Sequence, residues 1–124
     1  MKILIVEDSP SFRQTLRTIL CSQFPSFTIA EANDGEEALR AIPAFLPDLI
    51  FMDIRLPGQN GLEVTRKVKA DHQEIAVVVV TSYDLPEYRE AAIQAGATFF
   101  IGKDSLSVDG ISRLIKDFQE GKRK

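Results

Sequence analysis

The chain has 124 residues, of which 44% are hydrophobic, and a formal net charge of -3. This length suits one domain with a core of its own and is short for two domains of ordinary size. The slightly acidic charge argues against a nucleic-acid or membrane surface in this segment, and no apolar run is long enough to span a bilayer. We therefore expect one soluble domain, with any DNA-binding function located elsewhere.

Short apolar runs alternate with segments of helical period, which indicates repeated βα units around a mostly parallel sheet. We predict five strands, at about residues 2–6, 27–30, 49–52, 75–80 and 99–101. The second run alternates between apolar and polar residues, which is typical of an edge strand. The other four are continuously apolar, and we expect them to be covered on both faces.

The helices between these strands are predicted from apolar stripes and from start and stop signals. Three stripes recur at helical spacing: Phe12, Leu16, Ile19 and Leu20; Tyr88, Ala91, Ala92 and Ala95; Ile111, Leu114, Ile115 and Phe118. Ser9 and Pro10 would cap and begin the first helix, and Gly96 would end the fourth. Pro43 and Pro47 bracket the expected end of the second helix.

Two further expectations concern the single cysteine and the end of the chain. Cys21 excludes an internal disulfide, and its amphipathic surroundings predict a buried thiol. Together with an N-terminus that lacks the features of a signal peptide, it fits a cytoplasmic location. We expect the domain to occupy residues 1–120, with the basic residues 121–124 as a solvated tail or the start of a linker.

Acidic residues follow two of the predicted strands directly. Glu7 and Asp8 come after the first strand, and Asp53 comes after the third. If these strands are parallel neighbours, their carboxyl ends meet at one edge of the sheet and the carboxylates share a site. Carboxylates roughly 4 to 5 Å apart repel by about 4 kcal/mol at an effective dielectric of about 20, so the cluster needs a cation or a proton. The acidic residues therefore predict a divalent metal ion.

Polar residues also follow the last two strands, with Thr81 and Ser82 after the fourth and Lys103 after the fifth. Together with the acidic pair and the segments 53–61 and 96–103, this order resembles the receiver domain of two-component response regulators. The resemblance covers nearly the whole chain. It implies an α/β fold, a doubly wound five-stranded parallel sheet in the order 2-1-3-4-5 with flavodoxin-like topology.

The resemblance also implies a phosphoacceptor and a metal site. Asp53 would attack the phosphohistidine of a sensor histidine kinase or phosphotransfer protein to give an acyl phosphate. Asp8 and Asp53 would bind Mg²⁺ directly, and Glu7 would act through a bound water. The main-chain carbonyl of Arg55 would complete the protein ligands. The domain would thus catalyse only its own phosphorylation and dephosphorylation, and would not be an enzyme in the ordinary sense.

The remaining roles concern the phosphoryl group and the signal. Lys103 would pair with one phosphoryl oxygen and the hydroxyl of Thr81 would donate to another, beside the backbone amides of Arg55 and Ser82. Thr81 and Phe100 resemble the pair through which the family signals, with the hydroxyl moving inward and the ring turning in behind it. The face from the fourth strand to the fifth helix would then be remodelled.

The output is indicated by one departure from the family pattern. Asp104 follows Lys103 where many receivers have proline, and receivers joined to helix-turn-helix effector domains more often lack that proline. A larger transcription regulator, with an effector domain or output protein as partner, is therefore expected. The sequence leaves open whether a homodimer forms, through the first helix or through the remodelled face.

Three other functions are alternatives to a phosphorylated receiver domain. A phosphatase of the haloacid-dehalogenase type needs a second acid two residues after the nucleophile, where this chain has Arg55. A flavin carrier needs a hydroxyl- and glycine-rich phosphate loop after the first strand, and the acidic residues there would repel phosphate without a metal. A receiver-like interaction domain that is never phosphorylated stays an alternative.

Overall fold

The computed structural model describes the backbone of residues 1–123 and the side chains of residues 1–121. The elements in chain order are β1 (Lys2–Val6), α1 (Pro10–Gln23), β2 (Thr28–Ala32), α2 (Gly35–Phe45), β3 (Leu49–Asp53), α3 (Gly61–Asp71), β4 (Ala76–Thr81), α4 (Pro86–Ala95), β5 (Phe99–Gly102) and α5 (Val108–Arg123), with one 3₁₀ turn (Lys103–Ser105) before α5. Of the expected tail, residues 121–123 continue α5, and Lys124 lies outside the described residues.

The five strands form one parallel sheet in the order β2-β1-β3-β4-β5, which confirms the predicted fold class. β2 lies at one edge, as its alternation predicted. The prediction that the fifth strand is covered on both faces is confirmed, since Phe100 packs on one face of the sheet and Phe99 and Ile101 pack on the other. β5 is the other edge strand, with β4 on one side only, and its first three residues are only half-buried.

The core has two layers, one on each face of the sheet. Residues of alternating parity along each strand enter different layers, so that Val77 and Val79 pack beneath α2, α3 and α4, whereas Val78 and Val80 pack beneath α1 and α5. Every residue of β3 and β4 is buried. Burial of each such aliphatic side chain contributes about 1.5 to 3 kcal/mol, which makes the centre of the sheet a rigid base for the residues at its edge.

The helix ends match the predicted start and stop signals. The Ser9 side chain caps α1 and Pro10 occupies its first turn, while Gly96 ends α4 with φ 102°, a left-handed conformation that favours glycine. α2 ends between Pro43 and Pro47, with Pro43 inside its last turn. Short loops connect each helix to the next strand, so the strand ends lie close to the helices.

Cys21 is exposed, contrary to the predicted buried thiol. α1 buries Leu16 and Leu20 against the sheet. Each residue of an α-helix is rotated by about 100° from the one before it, so Cys21 points away from the layer that receives Leu20. The amphipathic pattern predicted the helix correctly, but this thiol lies outside its apolar stripe.

Candidate functional site

The carboxyl ends of four strands bring the predicted site residues to one edge of the sheet. Asp53 is the last residue of β3 and Thr81 the last of β4, while Glu7 and Lys103 directly follow β1 and β5. They surround a cleft of about 250 Å³. The residues that line it are Glu7, Asp8, Ser9, Asp53, Arg55, Thr81, Ser82, Tyr83 and Lys103. Every predicted site residue except Phe100 is among them.

The acidic residues form one cluster inside this cleft. Glu7, Asp8 and Asp53 each offer a carboxylate oxygen, and the three oxygens lie within 4.8 Å of one another. Glu7 and Asp53 are only 2% and 5% exposed, whereas Asp8 is exposed. The strand register explains why these carboxylates lie close together: Val6 of β1 stands beside Met52 of β3, and Glu7 and Asp53 are the residues that follow them.

Lys103 is the cation within this cluster. Its Nζ atom lies 2.6 Å from Oε1 of Glu7 and 3.4 Å from Oδ2 of Asp53, and 4.4 Å from the centre of the Phe12 ring. Burial alone would lower the pKa of Lys103, but the two carboxylates outweigh it and raise that pKa above its ordinary value. Burial would likewise raise the pKa of Glu7, yet Lys103 and the Ser9 amide hold it below the ordinary value. Lys103 and Glu7 therefore form a charged pair.

Asp53 is in the opposite electrostatic situation. Burial, followed by the negative charge of Glu7, raises the pKa of Asp53 to about 6, although Lys103 acts in the other direction. The clustered carboxylates of Glu7, Asp8 and Asp53, set against the one ammonium of Lys103, leave a formal charge of -3 + 1 = -2. A divalent cation cancels this charge, and carboxylate oxygens are the donors that Mg²⁺ prefers. The donor set thus fits Mg²⁺.

The loop after Asp53 is held against the sheet by glycine and hydrogen bonds. Gly61 donates its amide to the carbonyl of Ile54 at 2.7 Å, and a Cβ atom on Gly61 would lie 1.9 Å from the carbonyl oxygen of Asp53. Only glycine permits this approach. The side chain of Asn60 caps α3, and the amide of Arg55 donates to Oδ1 of Asp53 at 3.4 Å. The amide of Arg55 therefore points toward the acidic cluster.

Thr81 and Phe100 lie on the same face of the sheet. Phe100 stands beside Val79 in the register, and Thr81 stands beside Gly102. The Thr81 oxygen accepts a hydrogen bond from the amide of Tyr83 at 3.1 Å. The half-buried ring of Phe100 packs on the α4 side, with the guanidinium of Arg89 at 4.6 Å from its centre. The ring is therefore behind the cleft, not in it.

Two residues that line the mouth of the cleft also contact each other. The guanidinium of Arg55 lies 4.3 Å from the centre of the Tyr83 ring, within the range of a cation–π contact, and both side chains are exposed. Each stands two residues beyond a predicted site residue, Asp53 or Thr81. Solvent that enters the cleft at this side passes this pair.

Arg13 also contacts the acidic cluster, although it was not among the predicted site residues. Its guanidinium donates to the main-chain oxygen of Glu7 at 2.8 Å and pairs with Glu31 of β2 at 2.9 Å. The only signal in the sequence is its position one turn after the capping residue Ser9, which places it near the start of α1 and hence near this edge of the sheet.

The doubly wound sheet and the polar set at its carboxyl edge define a receiver-type domain. The chain belongs to the response regulator receiver domain family, whose family model matches residues 3–115. This family consists of regulatory domains and not of ordinary enzymes.

Similar proteins agree with this assignment. The response regulator MprA of Mycobacterium ulcerans is 34% identical over 114 residues, which cover 92% of this chain and 48% of MprA. The probable transcriptional regulatory protein NarL of Mycobacterium tuberculosis is 30% identical over 122 residues, 98% of this chain and 56% of NarL. The solved signal receiver domain of NarL from the same organism has a TM-score of 0.87 at 32% identity, covering 97% of this chain and 96% of that domain.

The chain spans about half the length of the curated relatives it matches, between 48% and 56% for the three named DegU, MprA and NarL. Within the residues that the structure describes, no helix has both the length and the apolar character needed to cross a bilayer.

Proposed function

We propose that this receiver domain is a phosphorylation switch in which Asp53 accepts a phosphoryl group from the phosphohistidine of a sensor histidine kinase or phosphotransfer protein. A carboxylate oxygen of Asp53 forms the new P–O bond while the P–N bond of the phosphohistidine breaks, and the imidazole leaves with the electron pair. The observation that carries the proposal is the buried Asp53 carboxylate in an open cleft, 3.4 Å from the Lys103 ammonium.

Glu7, Asp8, Asp53 and the main-chain carbonyl of Arg55 would hold Mg²⁺ in this site. When bound, Mg²⁺ supplies positive charge that offsets the charge on the phosphoryl oxygens. The support for this cation is the cluster of three oxygens and its formal charge of -2. Burial, followed by the negative charge of Glu7, raises the pKa of Asp53, and a cation bound beside it would favour the ionised carboxylate.

The chain's own donors would surround the transferred group. The amide of Arg55 already donates to Oδ1 of Asp53, so it is placed to donate to an oxygen of a phosphoryl group attached there. The amide of Ser82 and the hydroxyl of Thr81 belong to the same cleft lining, as does the ammonium of Lys103. Phosphoryl transfer depends mainly on such positioning and charge stabilisation.

The signal would pass from Thr81 to Phe100. Thr81 is buried at the end of β4, and Phe100 stands next to this strand on the same face. Contact between the Thr81 hydroxyl and a phosphoryl oxygen would favour the conformation in which the Phe100 ring is turned inward. The phosphoryl group can shift the balance between the outward and inward conformations only by the difference between its interaction free energies with the two. The remodelled face from β4 to α5 would then control partner binding or dimerisation.

We further propose that the receiver occupies residues 1–120 of a longer cytoplasmic transcription regulator, with residues 121–124 leading toward an effector domain. The support is that the chain matches about half of each curated relative, and that one of these relatives, NarL, is named a probable transcriptional regulatory protein. The domain itself would not contact nucleic acid or membrane, in agreement with the net charge of -3.

Intact-mass analysis after incubation with acetyl phosphate and Mg²⁺ tests the proposal. The wild-type protein should gain one phosphoryl group, Asp53→Asn should gain none, and Asp71→Asn should gain one, because Asp71 is an exposed acid at the end of α3. An unmodified wild-type protein would support an interaction domain that is never phosphorylated. An undiminished gain in Asp53→Asn would contradict the choice of acceptor.

A further inference from the structure

Arg13 connects three segments beside the acidic cluster. Its Nη1 atom donates to the main-chain oxygen of Glu7 at 2.8 Å and also to Oδ1 of Asn33 in the β2–α2 loop. Its Nε atom lies 2.9 Å from Oε1 of Glu31 on β2. The Arg13 side chain is only 17% exposed, whereas its partners Glu31 and Asn33 lie at the surface.

Arg13 contacts Glu7 through the main-chain carbonyl that precedes Asp8. The oxygen belongs to the peptide group that links Glu7 to Asp8, beyond the last paired residue of β1, Val6. On the other side of Glu7, its amide donates to the carbonyl of Ala32 at 3.1 Å, and its Oε2 atom accepts from the Ser9 amide at 3.0 Å. Arg13 therefore holds the one peptide plane between the two acidic residues.

We propose that Arg13 is a positioning residue for the metal site: it orients the Glu7–Asp8 peptide so that both carboxylates face the cleft together with Asp53. The inference rests on the proposed function, because it assigns Arg13 a task in Mg²⁺ binding. Arg13 itself would touch neither the cation nor the phosphoryl group.

Arg17 provides a matched control within the same helix. Its Nη1 atom lies 2.7 Å from Oε2 of Glu31, so it shares the Glu31 carboxylate with Arg13. The hydrogen bonds to Glu7 and Asn33 come from Arg13, whereas Arg17 pairs with Glu31. Arg17→Ala thus removes a positive charge and a Glu31 ion pair while leaving the Glu7–Asp8 peptide held.

The positive charge of Arg13 and its positioning role predict opposite effects of Arg13→Ala on Mg²⁺ affinity, so the measured affinity distinguishes them. Removal of a positive charge near three carboxylates strengthens cation binding, whereas loss of a hydrogen bond that orients metal ligands weakens it. Loss of such a supporting contact typically costs about 10- to 100-fold in metal affinity. We expect Arg13→Ala to weaken Mg²⁺ binding by about tenfold and Arg17→Ala to leave it equal or slightly stronger. Arg13→Lys keeps the charge but replaces the planar guanidinium, with its five donors, by an ammonium with three, and its Mg²⁺ affinity should lie between those of wild type and Arg13→Ala.

The experiment combines two measurements on the same four proteins. Isothermal titration calorimetry with MgCl₂ gives the affinity, and NMR hydrogen exchange without Mg²⁺ gives the protection of the Glu7 and Ser9 amides. We expect faster exchange of these two amides in Arg13→Ala, a smaller increase in Arg13→Lys and none in Arg17→Ala. Thermal unfolding of Arg13→Ala and Arg17→Ala is compared to account for any general loss of stability. If Arg13→Ala does not fold, Arg13→Lys decides by the same two measurements.

Unchanged or tighter Mg²⁺ binding together with unchanged amide exchange in Arg13→Ala would overturn the positioning role. Equal effects of Arg13→Ala and Arg17→Ala would overturn it too, because they would reflect the shared Glu31 contact. A wild-type protein that binds no Mg²⁺ contradicts the proposed function instead. The exchange of the Glu7 and Ser9 amides then decides on its own whether Arg13 holds the peptide.

Discussion

The ammonium of Lys103 lies 2.6 Å from Oε1 of Glu7, and this is the shorter of its two ion pairs. The proposed phosphoacceptor Asp53 is 3.4 Å from the same atom, so it receives less of the cation's stabilisation. Burial raises the pKa of both carboxyl groups, but Lys103 and the Ser9 amide bring the pKa of Glu7 below its ordinary value, whereas burial and the charge of Glu7 keep the pKa of Asp53 at about 6. Lys103 therefore neutralises the charge of Asp53 less fully than that of Glu7.

Removal of Lys103 should destabilise the metal-free protein. In Lys103→Met the buried carboxylates of Glu7 and Asp53 lose their cation, and breaking a buried ion pair by deleting one partner costs about 3 to 5 kcal/mol. We expect a loss at the lower end of that range by urea denaturation in EDTA, partly restored by Mg²⁺. Lys67→Met, at an exposed position of α3, should change the free energy of unfolding little. Equal stability of Lys103→Met and wild type would contradict the ion pair.

The raised pKa of Asp53 predicts a stability difference that depends on pH. In the folded protein the pKa of Asp53 is about 6, whereas its ordinary value is 3.8, so the folded state keeps this proton at a higher pH than the unfolded chain does. This group therefore favours the folded state most at low pH, and its contribution is lost as the pH rises from about 4 through about 6. Asn carries no such charge. Without Mg²⁺, Asp53→Asn should match wild type near pH 4 and exceed it by on the order of 2 kcal/mol at pH 7.

Denaturant titrations of both proteins from pH 4 to pH 7 in a chelating buffer check this expectation. A stability difference that stays constant across this interval would show that Asp53 does not titrate as the structure indicates.

The pair at the mouth of the cleft should limit hydrolysis of the acyl phosphate. Arg55 covers the Tyr83 ring at 4.3 Å, and both residues line the cleft. Arg55→Ala and Tyr83→Ala should each open this side to water and shorten the lifetime of the phosphorylated protein several-fold. The decay is followed by intact mass after removal of the phosphodonor, with Arg66→Ala at an exposed position of α3 as the control. A lifetime equal to wild type in both cleft variants would exclude this shielding.

Phe100 should transmit the phosphorylated state, whereas its neighbour Phe99 should not. Phe100 packs in the layer below α4, and Phe99 packs in the opposite layer, although both rings are half-buried. Phe100→Ala should still gain a phosphoryl group but lose the phosphorylation-dependent change in amide hydrogen exchange of β5 and α4. Phe99→Ala should keep that change. A full response in Phe100→Ala, or its loss in both variants alike, would count against the role of the Phe100 ring.

Much of the site could be predicted because it depends on strand ends. Asp53 and Thr81 close apolar runs, and parallel strands bring such ends to one edge of the sheet. The grouping of Glu7, Asp8, Asp53 and Lys103 follows from that rule, as do the caps at Ser9 and Gly96 from local turn chemistry. The roles assigned to these residues in phosphoryl transfer stay predictions.

Other features required the assembled fold. The half-burial of β5 depends on its edge position, and the exposure of Cys21 depends on which side of α1 meets the sheet. The contacts of Arg13 could not be predicted from the sequence, because its partners Glu31 and Asn33 belong to a different βα unit. Such contacts have no periodic signature in the chain.

The sequence by itself determined the alternation of strands and helices and the placement of acids, hydroxyls and Lys103 at strand ends, because periodicity and turn chemistry are local properties. The tertiary structure alone decided how Lys103 divides its charge between Glu7 and Asp53, how far burial raises the Asp53 pKa, and that Arg13 holds the peptide between the two acids. Lys103 and Asp53 are 50 residues apart in the chain. The packing of whole elements sets the distances between such residues to within a few tenths of an ångström, and the electrostatics of the site depend on those distances.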